Sequence, residues 1–174
     1  EKIASIPGVS SVSLGRSVPM DSNNNYRNPV SVQNRIYKGS ELPPSRPFNF
    51  VAPGFFSTLG TRLLAGRDFT WTDIYNKKPV VVVSKSFASE YWRQPKDALG
   101  QKIRVSSTDT WREIIGVSDD VHYDGVKEPA PSMMYGPLMM DNFAGQEHKL
   151  QRATIFVVRS RLAGTQLLMK EIQE

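Results

Sequence analysis

The sequence predicts an α+β protein, because the 174-residue chain contains more strand patterns than helix patterns and no regular strand–helix alternation. The uninterrupted β-branched run at 80–83 is typical of a central strand that is buried on both faces. Apolar and polar residues alternate at 9–18 and 30–37, as in strands with one buried face. Between 85 and 93 the apolar residues recur at helical spacing, and Ser84 is placed to cap that helix.

The remaining elements are predicted from the same periodicities and from Gly and Pro, which end helices and strands. Predicted strands are 48–52, 63–64, 101–105, 111–121, 133–137 and 153–158, with a hairpin expected between 101–105 and 111–121. One predicted helix ends at Ile6, and the others cover 55–59, 72–75 and 164 onward. The polar residues at 21–28 and 141–149 are predicted to form loops, the second of them mobile.

Charge and composition narrow the classes of function. The 22 Lys and Arg against 17 Asp and Glu leave a net charge of +5, but no run of like charges concentrates it. This spread indicates a solvated surface rather than a nucleic-acid-binding face, which would cluster basic residues around stacking aromatics. No window of about 18 apolar residues predicts a membrane span, and the absence of cysteine leaves the redox compartment open. Because Glu1 and Glu174 both fall in predicted helices, we expect a piece of a larger membrane protein.

One polar cluster could carry metal chemistry. Asp119, Asp120, His122 and Asp124 combine carboxylate ligands with an imidazole, a set that suits divalent cations. The alternative is a strand that ends in a turn, and this interpretation is favoured because a short motif alone is weak. The other histidine, His148, lies in a predicted loop. The sequence therefore assigns no metal ligands.

The chain also lacks the usual signatures of an enzyme. It has no cysteine and no serine in a G-x-S-x-G turn, and its glycines form neither a dinucleotide-binding fingerprint nor a P-loop. The methionine pairs at 133–134 and 139–140 could bind a soft metal, but core or interface packing is favoured. We therefore predict a protein that is not an enzyme, with no catalytic residues and no cofactor.

A series of short motifs follows a fixed order along the chain. It comprises VAPGFFSTLG at 51–60, LLAGRDF at 63–69, PVVVVS at 79–84, ALG at 98–100, IIGV at 114–117, DDV at 119–121 and MYGP at 134–137. IPGV at 6–9 precedes the series, and FVVR at 156–159 follows it. In order and spacing this series resembles the MacB-like periplasmic core domain of MacB/FtsX-type ABC transporter permeases.

The resemblance implies a two-lobe architecture within the α+β class. Residues 1–67 and 152–174 would form a membrane-proximal α/β lobe, and residues 68–151 would form a β-rich lobe inserted into it. The domain would lie on the extracytoplasmic, periplasmic side of the bacterial cytoplasmic membrane, anchored by transmembrane helices of its own full-length chain. A cognate ATPase, a periplasmic adaptor and a second copy of the chain are candidate partners.

The motif residues themselves have the character of a scaffold. Glycines at 54, 60, 66, 100 and 116 fit turns or close packings, where a Cβ would interfere. Phe55, Phe56, Leu59, Phe69 and Phe87 are predicted to fill a core. Arg67 is interpreted as part of a salt bridge or as a cap on a backbone carbonyl.

Three functions follow from these observations. The first is an extracytoplasmic permease domain that couples transmembrane-helix motion to a partner protein or an exported substrate. The second is a free-standing extracytoplasmic ligand-binding or sensory module, which would need an apolar pocket. The third is a metal-dependent hydrolase built on the cluster at 119–124. For the first, we expect both termini on one side of the domain, and Leu167, Leu168 and Ile172 packed against the strands that contain Val12, Leu14 and Ile155.

Overall fold

A mixed β-sheet of ten strands dominates the described part of the chain. The computed structural model describes residues 2–21, 26–37, 42–123, 125 and 127–173. Residues 22–25 of the predicted loop at 21–28 lie outside the described residues, as do both terminal residues and Asp124. Among the described residues, no helix is long and apolar enough to cross a bilayer.

The strands and helices have the following bounds. The strands are β1 (Val9–Gly15), β2 (Arg27–Pro29), β3 (Ser31–Val32), β4 (Ser45–Val51), β5 (Leu63–Gly66), β6 (Val80–Ser84), β7 (Lys102–Arg104), β8 (Arg112–Ser118), β9 (Met134–Pro137), β10 (Met139–Phe143), β11 (Gln146–Leu150) and β12 (Ile155–Ser160). The α-helices are α1 (Phe55–Leu59), α2 (Trp71–Tyr75), α3 (Lys85–Tyr91) and α4 (Gln166–Gln173), and Ile3–Ser5 and Pro95–Ala98 are short 3₁₀ helices.

The large sheet has both parallel and antiparallel pairs. Its strand order is β12-β1-β4-β9-β6-β8-β7-β3, with β2 also paired to β4 and β5 also paired to β8. The β4–β9 and β6–β8 pairs are parallel, and the other pairs of this sheet are antiparallel. β7 and β8 form the predicted hairpin. A mixed sheet with few helices confirms the α+β prediction.

The core lies on both faces of the central strands. In β6, Val81 and Val83 belong to one buried cluster, while Val80 and Val82 belong to the other. Every residue of β6 is buried, as the uninterrupted β-branched run predicts for a central strand. Of the phenylalanines predicted to be core, all four are buried: Phe55, Phe56, Phe69 and Phe87.

Two glycines let β5 and β8 approach closely. A Cβ on Gly66 would lie 2.1 Å from Ile115 O, and one on Gly116 would lie 2.4 Å from Arg67 O. Gly66 also has a φ of 72°, a backbone conformation that glycine adopts at low cost. These two positions confirm the prediction that motif glycines occupy close packings.

Two predicted elements are wrong. The expected strand at 30–37 is reduced to Ser31–Val32, because the chain turns immediately after it. Arg35 N donates to Val32 O in this turn, and Asn34 has a φ of 65°. The polar segment at 141–149, predicted to be a mobile loop, instead forms most of the β10–β11 hairpin.

Two side chains from the β7–β8 region hold this hairpin. The Asp109 carboxylate accepts hydrogen bonds from Ala144 N (2.9 Å) and Gly145 N (3.3 Å) at the hairpin turn. The buried Arg112 guanidinium donates to the carbonyls of Asp141 and Asn142, at 2.5 and 2.9 Å. Burial lowers the pKa of Arg112 to about 10, so the group stays charged at neutral pH. Long-range contacts of this kind leave no periodic signal in the sequence.

The first and last strands of the large sheet lie side by side. β1 and β12 pair in antiparallel fashion, and Arg161 N donates to Gly8 O at 3.1 Å. In α4, Leu168 is buried but Leu167 is 55% exposed, so the prediction that Leu167 packs inward is wrong. Leu167 and Leu168 are adjacent on the helix, and neighbouring helical positions do not share a face.

The predicted division into two lobes stays a prediction. Strands from the two expected lobes pair with each other, since β4 lies beside β9 and β5 lies beside β8. Any relative motion of the lobes would therefore have to bend or shear a continuous sheet.

Candidate functional site

The acidic segment that follows β8 is tied to the fold by its own neighbours. Asp119 accepts a hydrogen bond from Arg62 Nη2 at 3.1 Å, and its backbone N donates to Arg62 O at 2.8 Å. The Arg62 guanidinium, followed by the backbone N–H of Asp120, lowers the pKa of Asp119. This carboxylate is thus the partner of an arginine.

The other members of the segment have separate structural roles. Asp120 binds both the backbone N and the Oγ of Ser86, each at 2.8 Å, in the first turn of α3. His122 Nδ1 lies 2.8 Å from Glu128 O, to which it donates. Asp124 lies outside the described residues. Among the described residues, no three His, Asp or Glu side chains are grouped as metal ligands would be.

The remaining candidate metal ligands have packing or pairing roles. Met133, Met134 and Met140 are buried in the core, which agrees with the packing interpretation. His148 Nδ1 lies 2.8 Å from Asp141 Oδ1, across the β10–β11 ladder. None of these contacts resembles an open coordination site.

Arg67 forms both contacts that the sequence suggested. Its Nη1 donates to Asp73 Oδ2 at 2.6 Å and to Asp68 O at 3.0 Å. Asp73 also completes the capping box of α2 with Thr70. Burial alone would raise the pKa of Asp73, but hydrogen bonds from Arg67 and Thr70 outweigh it and hold this pKa well below its ordinary value. The pair stabilises the start of α2, which agrees with the salt-bridge interpretation of Arg67.

An open apolar groove lies at the end of the large sheet that β1 and β12 form. It has a volume of about 460 Å³ and crosses β1 and β12. Its walls come from the N-terminal 3₁₀ helix, from the turn before α1 and from the start of α2. The larger apolar residues that line it are Ile3, Val12, Leu14, Pro53, Trp71 and Phe156.

Two of these aromatic side chains remain largely in solvent. Trp71 is 51% exposed and Phe156 is 59% exposed, in contrast to the buried motif phenylalanines. The Trp71 ring stacks on Tyr75, with centroids 6.0 Å apart, and Tyr75 is itself 70% exposed. Exposed apolar surface that lines a groove is typical of a contact surface rather than of a core.

The sequence did not single out Trp71 or Phe156. Phe156 belongs to the FVVR motif, which has the pattern of an ordinary strand, and Trp71 directly precedes the helix predicted at 72–75. Only the register of β12 against β1 places Phe156 opposite Leu14, at the rim of the groove. Residues 153–158 carry no charge, which is the one sequence feature that sets this strand apart. An uncharged strand can lie either at the edge of a sheet or in its core, so this feature does not predict the groove.

The fold and the groove define a class of protein before any comparison is made. The large mixed sheet carries an apolar groove, and the part of the chain that the structure describes gathers no metal-binding groups. Residues 2–172 match the family model described as the MacB-like periplasmic core domain, and the chain belongs to that family. This is a family of periplasmic domains of ABC transporter permeases, not a known class of enzyme.

Two solved structures share the fold. The periplasmic region of MacB from Actinobacillus actinomycetemcomitans aligns with a TM-score of 0.62 at 17% identity, over 98% of this chain and 67% of that one. A domain described as part of a permease protein from Porphyromonas gingivalis aligns with a TM-score of 0.58 at 18% identity, over 97% and 69% of the two chains. No curated protein matches the sequence.

Proposed function

We propose that this domain lies outside the cytoplasmic membrane and couples movement of the transmembrane helices of its full-length chain to a partner protein or an exported substrate. Family membership supports the extracytoplasmic location and the link to transmembrane helices, since such permeases have transmembrane segments and work with an ATPase. The observation that carries the proposal is the direct pairing of β1 with β12, the strands nearest the two chain ends.

This pairing would join forces from both ends of the chain. Val9 lies opposite Ser160, so a displacement of either end acts on the same two-stranded unit. That unit connects to the central sheet, because Arg16 N donates to Phe50 O and Ala52 N donates to Leu14 O, both at 2.8 Å. Movement at the ends would therefore reach β4 through backbone hydrogen bonds rather than through a flexible linker.

The predicted lobes supply the moving parts of this mechanism. The segments 1–67 and 152–174 would follow the transmembrane helices, while 68–151 would contact the partner or the substrate. A cognate ATPase would supply the energy, and a periplasmic adaptor or a second copy of the chain would complete the assembly.

Distances between spin labels in the full-length permease test the coupling. The chain has no cysteine, so substituted cysteines carry the only labels within it. Labels at the exposed positions Gln166 and Thr108 report across the predicted lobes, and labels at Lys96 and Thr108 are a control pair within one lobe. We expect the Gln166–Thr108 distance to change between ADP-bound and ATP-bound states while the control distance stays constant. Identical distances in all nucleotide states would overturn the proposal.

A second function, the binding of an apolar ligand as a sensory module, is favoured by the groove alone. Its volume of about 460 Å³ suits a small molecule, and its lining is mostly apolar. A fluorescent apolar dye such as anilinonaphthalene sulfonate should then bind at one saturable site and lose affinity in Leu14→Trp, which fills the groove. Equal dye binding by Leu14→Trp would exclude the groove as that site.

A further inference from the structure

The outer edge of β12 is an open sheet edge in the described part of the chain. β12 is the terminal strand of the large sheet, and among the described residues only β1 pairs with it. Proteins usually blunt such edges with proline, a bulge or charged residues along the strand. β12 has no proline, and its charged residue, Arg159, lies near its end, where the register against β1 shifts; residues 155–158 are all apolar. Such an edge can accept a further strand.

The register shows which backbone groups face this edge. Leu14 O accepts from Ala52 N, so the even-numbered residues of β1 face β4 at this point. The odd-numbered residues face β12, where Ser13 lies opposite Val157. In β12 the odd-numbered residues therefore bond to β1, and the N–H and C=O groups of Phe156 point to the open edge.

Val158 has the same orientation as Phe156, because backbone directions alternate along a strand. The two residues together offer two donors and two acceptors to an added strand. Next to them, the Phe156 ring is 59% exposed and lines the groove, while Ile155 is 38% exposed. Backbone groups along an edge beside an apolar groove are the two elements that peptide recognition by strand addition requires.

The charge around this edge indicates what kind of strand it accepts. The segment 151–165 contains Arg152, Arg159 and Arg161 and no acidic residue. All three arginines are exposed, and in the described part of the chain none of them forms an ion pair. Arg159 donates to Thr58 O, which holds it beside the strand.

We propose that the outer edge of β12 binds an extended, apolar and acidic segment of a partner protein by strand addition. The inference rests on the proposed function, for which it names the contact surface and the chemistry of the partner. A second copy of this chain is a poor occupant, because β12–β12 pairing would bring Arg152, Arg159 and Arg161 of both copies into one interface.

Two variants of the full-length permease separate backbone recognition from charge recognition. Val158→Pro removes a donor that faces outward and leaves the hydrogen bonds to β1 intact, which proline at a sheet edge permits. Arg152→Glu with Arg161→Glu reverses exposed charges without touching the strand. Thermal unfolding of each variant serves as the control for folding.

The probes are two labelled peptides of about eight residues, a common strand length. One alternates glutamate with valine, and the other alternates lysine with valine. We expect wild type to bind the acidic peptide about tenfold or more tightly than the basic one, since several exposed charge pairs each add a small favourable contribution with the acidic peptide and an unfavourable one with the basic peptide. Val158→Pro should lose binding to both peptides, and the double charge reversal should invert the preference.

Three outcomes would overturn the proposal: no preference between the peptides, full binding by a folded Val158→Pro, or self-association of wild type that Val158→Pro abolishes. The last would identify a second copy as the occupant. The label distances between Gln166 and Thr108 are measured on the same preparations. If the distances change with nucleotide but the acidic peptide does not bind, strand addition is wrong and the coupling proposal stands. If the peptide binds but the distances do not change, the coupling proposal is wrong and strand addition stands.

Discussion

β6 and the first four residues of β12 are both apolar and largely β-branched, yet they differ in burial. Val81, Val82 and Val83 in β6 are fully buried, whereas Ile155 and Phe156 in β12 are 38% and 59% exposed. β6 lies between β8 and β9 with a core on each face, while β12 pairs with β1 alone among the described residues and borders an open groove. The same residue types therefore stabilise the fold in one place and form an accessible surface in the other.

The comparison distinguishes the region that stabilises the fold from the region that is accessible to other molecules. Burial of a large apolar side chain contributes roughly 1.5–3 kcal/mol, so the β6 region supplies the stability. Exposed apolar side chains at a sheet edge contribute little until something covers them. The proposed function of this domain depends on the second kind of region.

The largest expected effect contrasts phenylalanines from the two regions. Phe87→Ala and Phe56→Ala should each lower the free energy of unfolding by roughly 3–5 kcal/mol, because both rings are buried. Phe156→Ala should cost less than about 1 kcal/mol, as surface substitutions do. Urea denaturation of the three variants measures this. Similar losses in all three would mean that β12 belongs to the core and would remove the contrast.

A smaller loss of unfolding free energy is expected when the buried polar side chain of Arg112 is replaced. Arg112→Met keeps an apolar stem but removes the donors to the carbonyls of Asp141 and Asn142. We expect a loss of roughly 2–3 kcal/mol, because hydrogen bonds from a charged group are strong and the carbonyls are left without this donor. Arg161→Met at an exposed position is the control and should be close to neutral. Amide hydrogen exchange in β10–β11 should accelerate only in Arg112→Met.

The pH dependence of stability compares a buried with an exposed carboxylate. The pKa of Asp73 in the folded chain lies well below its ordinary value of 3.8. Its stabilising contribution is therefore fully present above pH 3.8 and is lost as the pH falls below that value toward the folded-state pKa. Asp73→Asn should remove this part of the acid dependence in denaturation curves between pH 5 and 2.

Asp119→Asn is the matched control for this measurement. The pKa of Asp119 is also lowered, by Arg62, but this ion pair is exposed and solvent screens it. We expect a smaller change in acid dependence than for Asp73→Asn. An equal or larger change for Asp119→Asn would mean that the exposed ion pair contributes at least as much stability as the buried one. That result would contradict the contrast between the two regions.

The smallest expected effect concerns divalent cations. Asp119, Asp120 and His122 bind Arg62, Ser86 and Glu128, so added Mn²⁺, Zn²⁺ or Ca²⁺ should leave the melting temperature unchanged. Differential scanning fluorimetry checks this. A saturable rise of several degrees that His122→Ala or Asp120→Ala abolishes would show that this segment binds metal.

Local sequence patterns correctly predicted the elements whose burial and capping depend on residues within or next to the element itself. The valine run at 80–83, the helix that Ser84 caps and the β7–β8 hairpin are all present near the expected positions. The β10–β11 hairpin was missed because residues 141–149 are mostly polar. It forms because Asp109 and Arg112, about 30 residues earlier, bind its turn and its carbonyls.

By itself, the sequence determined the fold class, the family and the buried phenylalanines, since periodicity and motif order are properties of neighbouring residues along a chain. Tertiary structure alone decided that β12 is an edge strand and that Trp71 and Phe156 line a groove. It also decided that Asp119, Asp120 and His122 each bind a separate partner rather than converge on a metal. These properties depend on pairing between segments as distant as 9–15 and 155–160, and no local pattern encodes which strand remains without a second neighbour.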